Sequence, residues 1–219
     1  YLIVDGIGGS NLGTIAVLEA VLGRHYNQVT KATKVLYVDT VDSDGVNEII
    51  MLVKPILEEG GNIVLNVISK SGTTTETIAN AEVLIDLLRR HKKDYKNCIS
   101  VTSDKGSELW NIAVKEGFNV LEIPKKVGGR FSVFSPVGLF PLGLLGINIE
   151  QLLDGAANMK KACLDTDIKR NPAAISATIQ YLHYESGKNI SDLFLFANDL
   201  ESLGKWCRQL MAESLGKEF

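Results

Sequence analysis

The sequence has 219 residues, 45% hydrophobic and 22% charged, with 23 Lys and Arg against 26 Asp and Glu and a formal charge of −3. That composition supports a buried core of one domain or one and a half. It excludes the basic stripe that a nucleic-acid backbone or an anionic membrane surface requires.

In chain order, the N-terminus opens inside a strand and lacks the basic, apolar and small-residue regions of a signal peptide. β-branched runs at Tyr1–Asp5, Lys34–Asp39, Asn62–Ile68, Asn97–Thr102 and Asn119–Ile123 are nearly continuous in apolar residues, as in strands covered on both faces. Between them the spacing predicts helices over about 12–23, 45–58, 74–91 and 105–116. In the third, Ile78, Ala81, Leu84, Ile85 and Leu88 share one face, the pattern of a helix laid on a sheet. Regular alternation of this kind predicts right-handed βαβ units and a doubly wound, five-stranded parallel α/β sheet.

After Pro124 helices are predicted at about 135–145, 149–164 and 172–186, the last with Asn171-Pro172 at its start. Phe131 to Ile149 is uncharged and long enough to span a bilayer. Two prolines and three glycines interrupt it, so a buried, kinked helical stretch is expected instead. A strand at Asp192–Ala197 and a helix over about 199–215 read as the opening βα unit of a second α/β domain. The expectation is a chain cut short at both ends.

Three cysteines (Cys98, Cys163, Cys207) and three histidines (His25, His91, His183) lie scattered, with no CxxC pair and no zinc spacing. A reducing cytoplasm is the expected compartment and no metal site is expected. The first strand ends in the loop GIGGSNLG at 6–13. A dinucleotide fingerprint fails there because Asn11 stands where the third glycine belongs. A P-loop fails because Thr14 follows Gly13 without a lysine. A looser phosphate or sugar site and a packing turn both fit.

The third strand ends in SKSGTTTET at 69–77, with six hydroxyls and one ammonium at a helix start. Hydroxyls beside a positive helix end suit a phosphate, whereas a capping box of Thr73 and Glu76 would use one or two of them. In a 2-1-3-4-5 strand order the two loops face one crevice beyond the carboxyl ends of adjacent strands. Arg130, in VGGRFS at 127–132, offers a guanidinium for a developing oxyanion, or is a surface arginine after a turn. Gln209 and Glu213, four apart near the C-terminus, share a helix face, and Glu213 offers a general base or a solvated carboxylate.

Taken together, GIGGSNLG at 6–13, SKSGTTTET at 69–77, VGGRFSVFSPVG at 127–138 and QLMAESLGK at 209–217 resemble the glucose-6-phosphate isomerase (phosphoglucose isomerase) family of the shorter bacterial type. The last two motifs are specific to it; the first two are shared more widely among sugar-isomerase (SIS) domains. The resemblance implies a first SIS domain over 1–150, a helical connection over 151–189 and the start of a second SIS domain over 190–219. It implies sugar contacts at Gly9, Ser10 and Gln209, and a 6-phosphate loop of Ser69, Lys70, Ser71, Gly72, Thr73 and Thr74. It makes Glu213 the base between C1 and C2 and places Arg130 beside that region.

The implied activity is interconversion of glucose 6-phosphate and fructose 6-phosphate through a cis-enediol, in glycolysis and gluconeogenesis, without redox cofactor or metal. The full-length protein is implied to be a homodimer. The family's ring-opening histidine and a C-terminal lysine have no match in this sequence, so the chain alone is expected to be inactive. The main rival is a non-catalytic SIS module binding a sugar phosphate, which would not need Arg130 or Glu213.

Overall fold

A computed structural model describes residues 1–216. Lys217, the last residue of the fourth motif, lies outside the described residues. The chain divides into two units, one formed by Tyr1–Ile147 together with residues from Ala197 onward, the other by Asn148–Phe196.

The first unit is built on five strands, β1 (Leu2–Asp5), β2 (Val35–Val38), β3 (Val64–Ile68), β4 (Ile99–Ser103) and β5 (Asn119–Glu122). They form one parallel sheet in the order β2-β1-β3-β4-β5, the order on which the shared crevice depends. Helices α1 (Leu12–Leu22), α3 (Ser43–Glu58), α4 (Thr75–His91) and α5 (Glu108–Glu116) form the crossovers. Each lies within a few residues of its expected position. A single-turn helix α2 (Tyr26–Val29), which the sequence spacing does not predict, precedes β2. Asn27 there pins the strand's entry, donating to the Val35 carbonyl at 2.7 Å and accepting from the Val35 N–H at 2.9 Å.

Ile3, Leu65, Val67, Ile99 and Val101 are buried in one core with Leu84 and Leu88 of α4 and Val53 and Leu57 of α3. The α4 residues lie four apart, so one stripe of the helix covers the sheet while Arg89 and Arg90 pair with Asp86 at the surface. The uncharged stretch becomes a 3-10 segment (Gly129–Phe134) followed by α6 (Pro136–Leu144), packed against α1 and β1. Among the described residues no helix is long and apolar enough to cross a membrane. The unit is completed by α9 (Glu201–Leu215), which packs along α1.

The second unit holds α7 (Ile149–Cys163) and α8 (Pro172–Glu185), which pack on each other. Asn171 caps α8, accepting from the Ala174 N–H at 2.9 Å, with Pro172 at the first helical position. The strand expected at Asp192–Ala197 does not form; residues 188–196 carry no regular structure. A strand needs a neighbour to take its backbone hydrogen bonds, and none lies beside this segment among the described residues. Phe194 and Phe196 are consequently 78% and 94% exposed.

Candidate active site

The carboxyl ends of β1 and β3 lie side by side, with Asp5 opposite Val67 in the register. The glycine loop and the hydroxyl loop therefore open into the same crevice, as the strand order demands. Asn11, at the position that breaks the dinucleotide fingerprint, donates its buried side-chain amide to the Gly6 carbonyl at 2.7 Å and so closes the glycine loop on itself.

Gly9 is needed for a close approach. A Cβ at Gly9 would lie 2.4 Å from the Gly129 carbonyl carbon and 2.6 Å from the Arg130 nitrogen. The space is filled by the backbone of the arginine turn. Ser132 fastens the two segments, its hydroxyl reaching the Gly9 carbonyl at 3.1 Å and the Gly129 carbonyl at 2.6 Å. The packing reading of this loop thus holds for Gly9, which like the neighbouring Ser10 is half-buried.

In the hydroxyl loop, Ser69 and Thr74 share a hydrogen bond of 2.8 Å, and the Gly72 N–H donates to the Ser69 hydroxyl at 3.1 Å. The Thr73 N–H and hydroxyl both reach Ser71, at 3.2 and 3.0 Å. Gly72 has φ +70°, a left-handed conformation that a side chain rarely adopts. The Thr73–Glu76 capping box is not formed. Helix α4 begins at Thr75 and its first N–H groups receive no side-chain cap. A helix start left open and ringed by hydroxyls is an anion site in the making. Lys70 turns toward the chain beyond β5, donating to the Lys125 carbonyl at 3.1 Å and the Val127 carbonyl at 2.6 Å. It thereby ties the hydroxyl loop to the arginine turn. Ser103 and Ser107, which no sequence motif marked, support the loop from below: the Ser103 hydroxyl donates to the Ser69 carbonyl at 2.6 Å and pairs with Ser107 at 2.7 Å.

Glu213 and Gln209 project from α9 toward Arg130. The Gln209 amide donates to Glu213 Oε1 at 2.7 Å, and Arg130 Nη1 lies 3.4 Å from Glu213 Oε2. Arg130 also donates through Nε to Ser214 at 3.0 Å, and its guanidinium lies 4.6 Å from the centre of the Phe131 ring. Both carboxylate oxygens are held while the Glu213 side chain stays 48% exposed. A carboxylate fixed in orientation and open to the crevice can carry a proton, and the adjacent guanidinium can offset an oxyanion formed beside it.

Asp5 lies at the end of β1, fully buried, with no hydrogen-bond partner for either oxygen. Burial pushes its carboxyl up to about 8, with Asn80 acting in the opposite direction. Its sequence signal was an acid closing an otherwise apolar strand. The two histidines of this unit, His25 and His91, lie away from the crevice. His25 follows the far end of α1, His91 donates through Nδ1 to the Leu87 carbonyl at 2.8 Å at the far end of α4, and His183 is on α8 of the second unit. Because α1 and α4 run back from the crevice, their C-termini end at the opposite edge of the sheet. Among the described residues no cluster of three or more His, Cys, Asp or Glu is placed to hold a metal.

The chain has relatives among known proteins. A protein of Methanococcus maripaludis named "Probable glucose-6-phosphate isomerase" is 39% identical over 217 residues, covering 99% of this chain and 48% of that protein. Glucose-6-phosphate isomerase of Methanocaldococcus jannaschii is 36% identical over 99% of this chain and 50% of its own length. The crystal structure of a glucose-6-phosphate isomerase from Chlamydia trachomatis superposes with a TM-score of 0.82 at 25% identity, covering 99% of this chain and 40% of that one. The chain thus spans about half the length of the curated relatives it matches. The family model described as phosphoglucose isomerase matches residues 2–219, and the chain belongs to that family.

Proposed function

We propose that this chain provides the sugar-phosphate crevice and the proton-transfer base of an aldose–ketose isomerase that interconverts glucose 6-phosphate and fructose 6-phosphate. The observation that carries the reading is the Glu213 carboxylate, held by Gln209 on one oxygen and facing Arg130 with the other. A binding module that only senses a sugar phosphate has no use for such a pairing.

In this reading the hydroxyls of Ser69, Ser71 and Thr74 and the open amides at the start of α4 receive the 6-phosphate. Lys70, Gly72 and Thr73 shape that loop. Gly9, Ser10 and Gln209 line the sugar. Glu213 takes the proton from C2 of the open-chain aldose, and the electron pair of that C–H bond forms the C1–C2 double bond as the O1 carbonyl becomes an enediolate. Arg130 offsets the negative charge. Return of the proton to C1, with transfer of the O2 proton to O1, gives the ketose. The exchange is balanced without metal or redox cofactor.

Opening the cyclic sugar needs a further acid–base group, and neither histidine of the first unit, His25 or His91, lies at the crevice. The longer protein would supply it, as a cytoplasmic homodimer active in glycolysis and gluconeogenesis. In it, residues 190–219 would begin the second SIS domain after a helical connection over 151–189, following a first domain over 1–150.

Calorimetric titration of the chain with fructose 6-phosphate tests the reading. Saturable binding is expected, weakened at least tenfold in the Ser71→Ala/Thr74→Ala protein. Absence of binding by folded wild-type chain, or equal affinity in the double variant, would refute the phosphate assignment. A coupled assay on the chain alone is expected to show no turnover.

A further inference from the structure

We propose that Trp206 is a positioning residue that holds the arginine turn and helix α9 in register, so that a ligand touching both is bound only while this brace is intact. Trp206, Gln209 and Glu213 stand at i, i+3 and i+7 and therefore share one face of α9. The indole Nε1–H donates to the Arg130 carbonyl at 2.9 Å. The Arg130 side chain meets the same helix two turns further on, at Glu213 and Ser214. Arg130 is therefore gripped by α9 at its main chain and at its guanidinium.

The indole ring also rests on α1, at the atoms next to Nε1. A Cβ at Gly13 would lie 3.3 Å from Trp206 Cε2 and 3.5 Å from Cζ2, so the ring rests directly on the helix backbone. The brace thus joins three separate stretches of chain: the helix after the glycine loop, the arginine turn and the helix of Glu213. A lost indole N–H leaves the Arg130 carbonyl without its partner and frees the turn to shift relative to Glu213. The hydroxyls of the loop after β3 make none of these contacts, and Lys70 meets the turn at Lys125 and Val127, ahead of Arg130, so the phosphate loop should keep its arrangement.

The inference rests on the proposed sugar-phosphate site, and the test separates the two. Trp206→Phe keeps the ring on Gly13 and removes the donor. Its affinity for fructose 6-phosphate should fall at least fivefold, while that for inorganic phosphate stays within twofold of wild type. A general loss of structure would weaken both ligands alike; that outcome, or unchanged fructose 6-phosphate affinity, overturns the proposal.

Should wild-type chain bind neither ligand, the functional reading fails and the brace is judged by hydrogen exchange. Faster exchange confined to residues 129–132 and 209–214 in Trp206→Phe supports it; no change, or a change spread over the sheet, overturns it. In wild-type protein the Trp206 indole N–H should exchange at least tenfold more slowly than free indole, and an unprotected N–H overturns the brace even if the variant fails to fold.

Discussion

At the scale of single residues, two groups at and just after the end of β1 sit in environments they would not choose alone. One is Gly9, whose missing side chain is replaced by another segment's backbone. The other is Asp5, buried without a hydrogen-bond partner and with its carboxyl pushed up to about 8. In the unfolded chain this acid ionises near its ordinary value of 3.8, so between about pH 4 and about pH 8 the folded protein holds one more proton. Stability from this group therefore falls as pH rises across that window, with a slope of up to about 1.4 kcal/mol per pH unit. Asp5→Asn removes the titrating group. We expect the variant to exceed wild type in urea midpoint at pH 7.5 and the gap to narrow toward pH 4.5. Parallel pH profiles of the two proteins would show that Asp5 is not buried as an acid.

At the scale of elements, the glycine loop gives the sharpest test. Asn11→Gly completes the pattern G-x-G-x-x-G, yet it deletes the buried bond from Asn11 to the Gly6 carbonyl. A loss of about 1–3 kcal/mol is expected from the unsatisfied carbonyl, read from the urea midpoint. No affinity for NAD should appear, because the arginine turn already occupies the approach at Gly9.

The same loop shows what could be read beforehand. Strand and helix positions followed from periodicity because β1 to β5 and their crossovers are consistent from local pattern to sheet order. The adjacency of the two loops followed from that order. Lys70 reaching the Val127 carbonyl and Trp206 reaching Arg130 were not legible, since they join positions whose separation in sequence carries no periodic signal. The strand expected at Asp192–Ala197 misled for a related reason. Apolar β-branched and aromatic residues mark a segment fit for a sheet, but a partner strand makes it one.

At the scale of the whole molecule, that segment leaves Leu193, Phe194 and Phe196 exposed on one short stretch. An isolated chain with such a surface should bind a hydrophobic dye and self-associate. Phe194→Ser/Phe196→Ser is expected to lower dye fluorescence and the apparent mass in light scattering while leaving the urea midpoint nearly unchanged. Dye binding equal to wild type would place the apolar surface elsewhere.

The first unit also closes on itself across a long excursion, since α9 returns to α1 only after residues 148–196 have left and come back. Contacts so distant along the chain form late in folding, after the local βα pairs have assembled. Helix α9 should therefore be the last element to dock and the first to leave on a gentle approach to unfolding. Loop-closure entropy depends only weakly on length, about 0.6 kcal/mol per doubling, so shortening the excursion would do little to hasten that docking. A nick within it would turn α9 into a separable peptide, and adding that peptide back would rebuild the carboxylate–guanidinium pair from two molecules.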